Sequence, residues 1–180
     1  MRLRPALPAD VPALEALIAV SARGLSRDDY SETEIEALVA HVFGVDSELV
    51  GDGTHLMIEV EGRPVACGGW SRRRTLFGGD RYADRESGFL DPAVDAAKIR
   101  AFFVHPDFAR QGLGTRLLNA CEQAARAAGF TCMEMMATLP GVKLYRALGY
   151  AGDAPQILDL PNGVTVTFVP MSKTIVSKSL

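Results

Sequence analysis

The sequence predicts an α/β fold: a mixed, mainly antiparallel sheet with helices on both faces, built as a single domain over residues 1–180. Three features predict it. The run "KIRAFFV", "LGTRLLNACEQAARAAG", "FTCMEMMA" reads strand, long helix, strand, a crossover that makes its two strands parallel. "HLMIEV" and "PVACGGW" flank a turn at Glu61, Gly62 and Arg63, while "QILDL" and "VTVTFVPM" flank "PNG"; both are hairpin signatures. Finally, 180 residues can enclose one substantial core but fall short of two.

In chain order, "MRLRPA" predicts a short first strand. Asp10 is placed to cap a helix whose Val11, Leu14, Leu17 and Ile18 share one side. "SETE", from Ser31 to Glu34, is a capping box that opens a second helix through Ile35, Leu38, Val39 and Val42, stopped by Gly44. Ser71 to Ala96 reads as a long loop, a length that in a compact domain is usually functional or mobile. The long helix carries Leu113, Leu117, Cys121, Ala124 and Ala128 on its apolar stripe and stops at Gly129. "GVKLYRALG" predicts a short helix ahead of the last hairpin.

Composition narrows the function classes. Hydrophobic residues at 48% and charged residues at 23% describe an ordinary globular protein. A net charge of −3 argues against general nucleic-acid binding. Cys67, Cys121 and Cys132 form no CxxC pair, and His41, His55 and His105 have no metal-binding spacing, so neither a disulfide framework nor a metal is expected. No apolar run is long enough to span a membrane, and the prolines and acids of the first twenty residues interrupt any signal-peptide core. The expected compartment is the cytoplasm.

Chemistry concentrates in "VHPDFARQGLGTRLL". A strand ends near Val104 and a helix begins between Gly112 and Gly114, without the Ser, Asp or Asn cap that stabilises helix starts by ~1 kcal/mol. The first amides of a helix have no internal partner and sit at the positive end of its dipole; glycines let an anion reach them. Arg110, Thr115 and Arg116 add donors and charge. Two readings stand: a seat for a pyrophosphate, or a turn whose glycines merely allow close packing. The P-loop and dinucleotide fingerprints fit neither, since Thr115-Arg116 follows the last glycine and Leu117 stands where a third glycine belongs.

"IRAFFVHPDFARQGLGTRLLNACEQAARAAGF" followed by "LYRALGY" closely resembles the GNAT superfamily of acetyl-CoA-dependent N-acetyltransferases. The motifs cover about residues 98 to 150, and the order of the remaining elements fits the family across nearly the whole chain. The resemblance implies acetyl-CoA as co-substrate, no metal, an amine acceptor and a splay between the parallel strands that admits pantetheine. It places Phe102, Phe103 and Val104 along pantetheine and the acetyl carbonyl, with a backbone N–H near Val104 as oxyanion donor. It assigns Arg110, Gln111, Gly112, Leu113, Gly114 and Thr115 to the pyrophosphate. The sequence departs from the family at Ala109, often Gln or Arg, and at Thr138, often an Asn on pantetheine. A homodimer is also in keeping with the family.

By the same resemblance Tyr145 is the general acid that protonates the departing thiolate; by spacing alone it is a core residue beside Val142 and Leu148. Glu59 and Glu134 are the strand carboxylates weighed as general base, with a water relay as the alternative. Tyr30, Trp70 and Arg72 are the acceptor-side candidates, set against the reading of Arg72 to Arg74 as a solvated charge run. The leading expectation is N-acetyl transfer by direct attack, to a small-molecule amine in preference to a protein. The alternative is a non-catalytic acyl-CoA-binding or regulatory module of the same fold.

Overall fold

The structure, a computed structural model, describes residues 1–175. In chain order the strands are β1 (Arg2–Pro5), β2 (His55–Val60), β3 (Arg63–Ser71), β4 (Ala97–Val104), β5 (Cys132–Thr138), β6 (Gln156–Asp159) and β7 (Thr165–Thr174). The helices are α1 (Val11–Leu25), α2 (Glu32–His41), α3 (Ser47–Gly51), α4 (Leu113–Ala127) and α5 (Leu139–Ala147). The strands form one sheet in the order β1-β2-β3-β4-β5-β7-β6, antiparallel everywhere except β4 with β5.

Side-chain alternation along the strands divides the core between the two faces. Leu14 and Ile18 of α1 and Leu38 of α2 pack with Met57, Cys67, Val166 and Phe168 on one side. On the other side Leu118, Cys121 and Ala125 of α4 pack with Ala97, Ile99, Met133 and Met135. Next to these, Leu113 and Leu117 cover Ile58, Val65 and Ala66. The helical stripe therefore spans β2 to β5. Its rear differs from the sequence expectation, because Ala128 is exposed and Glu122 is buried in its place.

Turn chemistry sets the registers. Glu61 and Gly62 both take positive φ, 51° and 76°, as a two-residue hairpin loop of the primed type requires. Ser31 Oγ accepts from the Glu34 amide at 3.2 Å while Glu34 accepts from the Ser31 amide at 2.7 Å, completing the capping box. Asp10 behaves otherwise than the sequence suggests. It makes no cap bond to α1; instead its carboxylate accepts from the Leu7 amide at 2.8 Å and binds Arg4, fixing the turn that precedes the helix. The five-residue α3, absent from the sequence expectation, is capped by the buried Asp46.

Residues 71–96 carry little regular structure but are tied to the body. Arg73 binds Asp52 through two nitrogens at 2.7 and 2.8 Å, Thr75 exchanges hydrogen bonds with Glu86, and Arg85 reaches Glu48 at 2.7 Å.

Candidate active site

The parallel pair β4–β5 keeps register for only two residue pairs, Ala97 with Met133 and Lys98 with Glu134. Lys98 and Glu134 form an ion pair on the last of these rungs, beyond which the strands part. Just past that point β4 bulges. Its register against β3 goes from Arg100–Gly69 to Phe103–Cys67, three steps on one strand against two on the other. Ala101 absorbs the difference with φ at 57°, and Ala101 and Phe102 fall outside the ladder. Gly68 makes room for the bulge, since a Cβ there would lie 2.6 Å from the Phe102 ring.

A cleft of about 470 Å³ opens between the separated strands and runs to the start of α4. Phe102, Phe103, Val104, Arg110, Gly112, Leu113, Gly114, Thr115, Thr138 and Tyr145 all line it. Thus the structure brings together ten of the residues singled out in the sequence. Gln111 stands outside this lining; it is exposed and its amide donates to the Asp107 carbonyl at 3.3 Å.

The two glycines of "GLG" do different work. Gly112 is the N-cap of α4 at φ 79°, with open space where a Cβ would point. Gly114 is a packing glycine, whose Cβ would come within 2.9 Å of Leu144 on α5. No side chain caps the helix, and Arg116 N–H to Gly112 C=O at 3.0 Å is its first internal bond. The amides of Leu113, Gly114 and Thr115 have no acceptor within the helix and face the positive end of its dipole. Arg110, exposed and itself at φ 63°, stands beside this opening.

Tyr145 sits where the cleft meets a second cavity, lining both. Its side chain lies back over the first turn of α5, where Gly141 leaves space: a Cβ there would be 2.7 Å from Tyr145 Cε2. The ring packs edge-on to Phe102 and Tyr150, with centroids 6.4 and 6.1 Å away. Burial pushes the phenol well above its ordinary range, so Tyr145 holds its proton across neutral pH. Tyr150 is held in turn by the buried Glu122 at 3.2 Å, which also binds Lys173 at 2.7 Å and Arg126 at 3.0 Å. This network fixes the end of α5 against α4.

The second cavity, about 70 Å³, lies across the bulge. Phe43, Phe77, Phe168, Met135 and Met136 give it an apolar wall, and among the described residues that line it Arg100 is the one that carries charge. Neither cavity has a carboxylate or imidazole among the described residues that line it. Glu59 is engaged by Arg4, at 3.1 Å from Nε, and Glu134 by Lys98; both carboxylates lie outside the cavities.

The acceptor-side candidates from the sequence are placed elsewhere. Tyr30 is buried, donates to the Thr167 carbonyl at 2.6 Å and accepts from the Leu139 amide at 3.0 Å, joining the α1–α2 turn to β7 and α5. Trp70 is buried edge-on against Phe130, because its position on β3 faces the α4 layer. Arg72 is exposed, its guanidinium over Phe89 at 5.4 Å. None of the three lines either cavity.

The sequence reading missed the contribution of α1. Ser21, Ala22, Leu25 and Ser26 form one wall of the larger cleft. Ser21 Oγ accepts the Val104 amide at 3.1 Å, so that N–H is already committed and the unladdered backbone lies upstream at Ala101 and Phe102. A signal existed: Ser21 falls on the stripe of Leu14, Leu17 and Ile18, a polar residue where an apolar one is expected. Cys67 and Cys121 are buried core thiols, pushed upward in pKa by desolvation. Among the described residues no group of His, Cys, Asp and Glu could hold a metal ion, and no helix is long and apolar enough to cross a membrane.

No curated protein sequence matches the chain. Among solved structures, a GCN5-related N-acetyltransferase of Rhodopseudomonas palustris is 24% identical, with 96% of this chain and 94% of that one covered at a TM-score of 0.71. YncA of Salmonella typhimurium, determined with its cofactor acetyl-CoA, is 16% identical at a TM-score of 0.63, covering 100% and 96%. The PaiA N-acetyltransferase of Thermoplasma acidophilum, in complex with coenzyme A, is 12% identical at 0.61, covering 96% and 98%. These likenesses establish the fold: a mostly antiparallel sheet with one splayed parallel pair. The profile of the Acetyltransferase (GNAT) family matches residues 20–150, the segment that contains the bulge, the glycine turn and Tyr145, and the chain belongs to that family.

Proposed function

We propose that the chain is a single-domain, cytoplasmic N-acetyltransferase that moves the acetyl group of acetyl-CoA directly to the primary amine of a small molecule. The observation that carries this reading is that two cavities meet at one point, the β4 bulge and Tyr145. The larger fits the donor. Its far end offers the unspent amides of Leu113, Gly114 and Thr115 together with Arg110, donors suited to a pyrophosphate. Its middle, between the splayed strands, is a slot walled by Phe102, Leu144 and Thr138 and suited to a slender, mostly apolar arm. Coenzyme A or acetyl-CoA accompanies the PaiA and YncA structures named above.

Ala101 and Phe102 lie outside the β3–β4 register, and a backbone N–H of this bulge is the group we assign to donate to the carbonyl oxygen as it gains charge. Tyr145, kept protonated by burial, gives its proton to the sulfur as the C–S bond breaks. The attacking amine loses its proton to water in the cavity, since no carboxylate or imidazole lines it. Cys67 and Cys121 are closed off in the core, and Cys132, partly exposed at the start of β5, lines neither cavity, which favours direct attack over a cysteine acyl intermediate.

The test is release of free thiol from acetyl-CoA across a panel of polyamines, aminoglycosides, amino acids and peptides, with Tyr145→Phe alongside. Acceptor-dependent release that slows in the variant is expected. Acetyl-CoA binding without turnover on any amine would favour the non-catalytic acyl-CoA-binding module; failure of acetyl-CoA to bind would overturn both readings.

A further inference from the structure

On the acceptor side of the bulge, Arg100 is 3% exposed and lines the smaller cavity. Its Nη2 donates to the Gly78 carbonyl and pairs with Asp46. Its Nε and Nη1 are buried and have no hydrogen-bond partner among the described residues. Buried guanidinium N–H groups left unmet are costly, and native structures normally give them an acceptor.

The charges around Arg100 form a connected row. Asp46 also binds Arg85 at 3.2 Å, Arg85 binds Glu48 at 2.7 Å, and Arg73 lies 3.8 Å from Glu48 and 2.7 Å from Asp52. From Asp52 inward the signs alternate, and the row ends at the cavity on the positive charge of Arg100. Three carboxylates balance the three arginines of this row, and Asp80 lies near as a fourth; it is the two unmet N–H groups of Arg100, which can only donate, that call for acceptor oxygens, and a carboxylate supplies two. His55, buried nearby with both ring nitrogens unpartnered, supplies no negative charge. Most of the remaining wall is apolar, with aromatic, thioether and aliphatic side chains and three glycines, and Thr138 and Tyr145 add hydroxyls.

Arg100 immediately precedes Ala101, the bulge residue beside which the amine must attack. The anion and the reacting amine therefore belong to one compact molecule. We infer that the acceptor is a free amino acid with an aliphatic, thioether or aromatic side chain, its carboxylate held by Arg100 and its side chain against Phe77, Met135, Met136 and Phe168. The inference rests on the acetyltransferase reading above and names its substrate class. The arginines that the sequence alone brings forward, Arg72 to Arg74, have no part in it: Arg73 is spent on Asp52, and none of the three lines the cavity.

The experiment compares methionine, leucine and phenylalanine with their carboxamides and with the corresponding decarboxylated amines, on the whole chain, reading kcat and KM separately. Binding of the same compounds to protein loaded with coenzyme A is measured by calorimetry, so that the outcome is independent of turnover. The carboxylates are expected to be favoured by about 100-fold or more in kcat/KM, as in sites built around a polar group of the substrate. Arg100→Lys keeps a cation for Asp46 but loses the guanidinium donors. It should remove most of that preference, chiefly through KM, while acetyl-CoA affinity and melting temperature stay close to wild type. Should the variant fail to fold, the ligand comparison on wild-type protein decides alone. Equal use of carboxylates, amides and plain amines would overturn the inference and leave the acetyltransferase standing. So would binding of acetyl-CoA with no amino acid binding to the loaded protein. If acetyl-CoA itself does not bind, the acetyltransferase reading fails and the inference falls with it.

Discussion

The two cavities on either side of the β4 bulge are made in different ways. The larger cleft takes most of its lining from 102–115 and 138–145, two short stretches of chain, with the end of α1 adding a wall. The smaller is gathered from segments far apart in the chain: Phe43 and Gly44 after the second helix, Phe77, Gly78 and Gly79 on the long loop, Arg100 on β4, Met136 on β5 and Phe168 on β7. A backbone site is specified by local conformation, which glycine and proline control within a few residues. A site gathered from distant segments is specified by which strands and loops become neighbours, and that depends on the whole topology. The contrast parallels the division of labour proposed above, a fixed donor on one side and an acceptor particular to this chain on the other.

Tyr145 belongs to both cavities, and its loss should have the largest effect. Tyr145→Phe is expected to lower kcat by about 10²–10⁴-fold with acetyl-CoA affinity nearly unchanged, read from steady-state kinetics and calorimetry. A parallel loss of acetyl-CoA binding would mean that the ring supports the donor cleft instead of donating a proton.

The acceptor side sharpens the comparison through pH. Desolvation lowers the His55 pKa to about 4, with Asp46 and Arg100 acting in opposite directions on it. The unfolded chain, titrating near the ordinary value of 6.5, takes up the proton first. Stability should therefore fall as pH drops from about 6.5 towards 4 and then level off, a loss of roughly 3 kcal/mol. His55→Leu should flatten that part of the curve in urea titrations at a series of pH values. An unchanged slope would show that another group carries the dependence.

Gly141→Ala tests how finely Tyr145 is placed. The added methyl meets Cε2 of the ring, and a displacement near 1 Å costs catalysis about 10²-fold. The expected signature is lower kcat with unaltered acetyl-CoA binding. The smallest effect belongs to the donor side. Gly112→Ala meets no atom but forces a Cβ into φ 79°, costing roughly 1–2 kcal/mol. Weaker acetyl-CoA binding with unchanged kcat at saturation would separate the seat from the chemistry; normal binding would break the proposed role of the turn.

Much of the architecture is legible in the residues because its causes are local. The crossover length makes β4 and β5 parallel, Glu61-Gly62 closes a hairpin, "SETE" opens α2, and Gly129 ends α4 at φ 93°. What escapes is the pairing of distant polar groups. Asp10 has the spacing of a cap, but Arg4 lies within reach across the strand end and captures it. Glu122 lies between Cys121 and Gln123 like any surface acid, yet Tyr150 and Lys173 converge on it from elements that follow. Trp70 and Tyr30 have the side chains of a binding site and serve as packing and bracing instead.

The sequence by itself determined the family, the parallel crossover, the left-handed glycine that exposes the first amides of α4, and the tyrosine at the meeting of the cavities. The crossover and the glycine turn follow from strand, helix and turn preferences along the chain; the family and Tyr145 came through the resemblance of the two motifs. The tertiary structure alone decided that β4 leaves β5 after two rungs, the second ion-paired, that Ser21 takes the Val104 amide, and that Arg100, unlike Arg72 to Arg74, lines the smaller cavity and has donors unmet among the described residues. These depend on burial and on neighbours far apart in the chain. Charge identifies an arginine in the sequence; only the surrounding fold determines whether water, a carboxylate of the same chain or a ligand meets it.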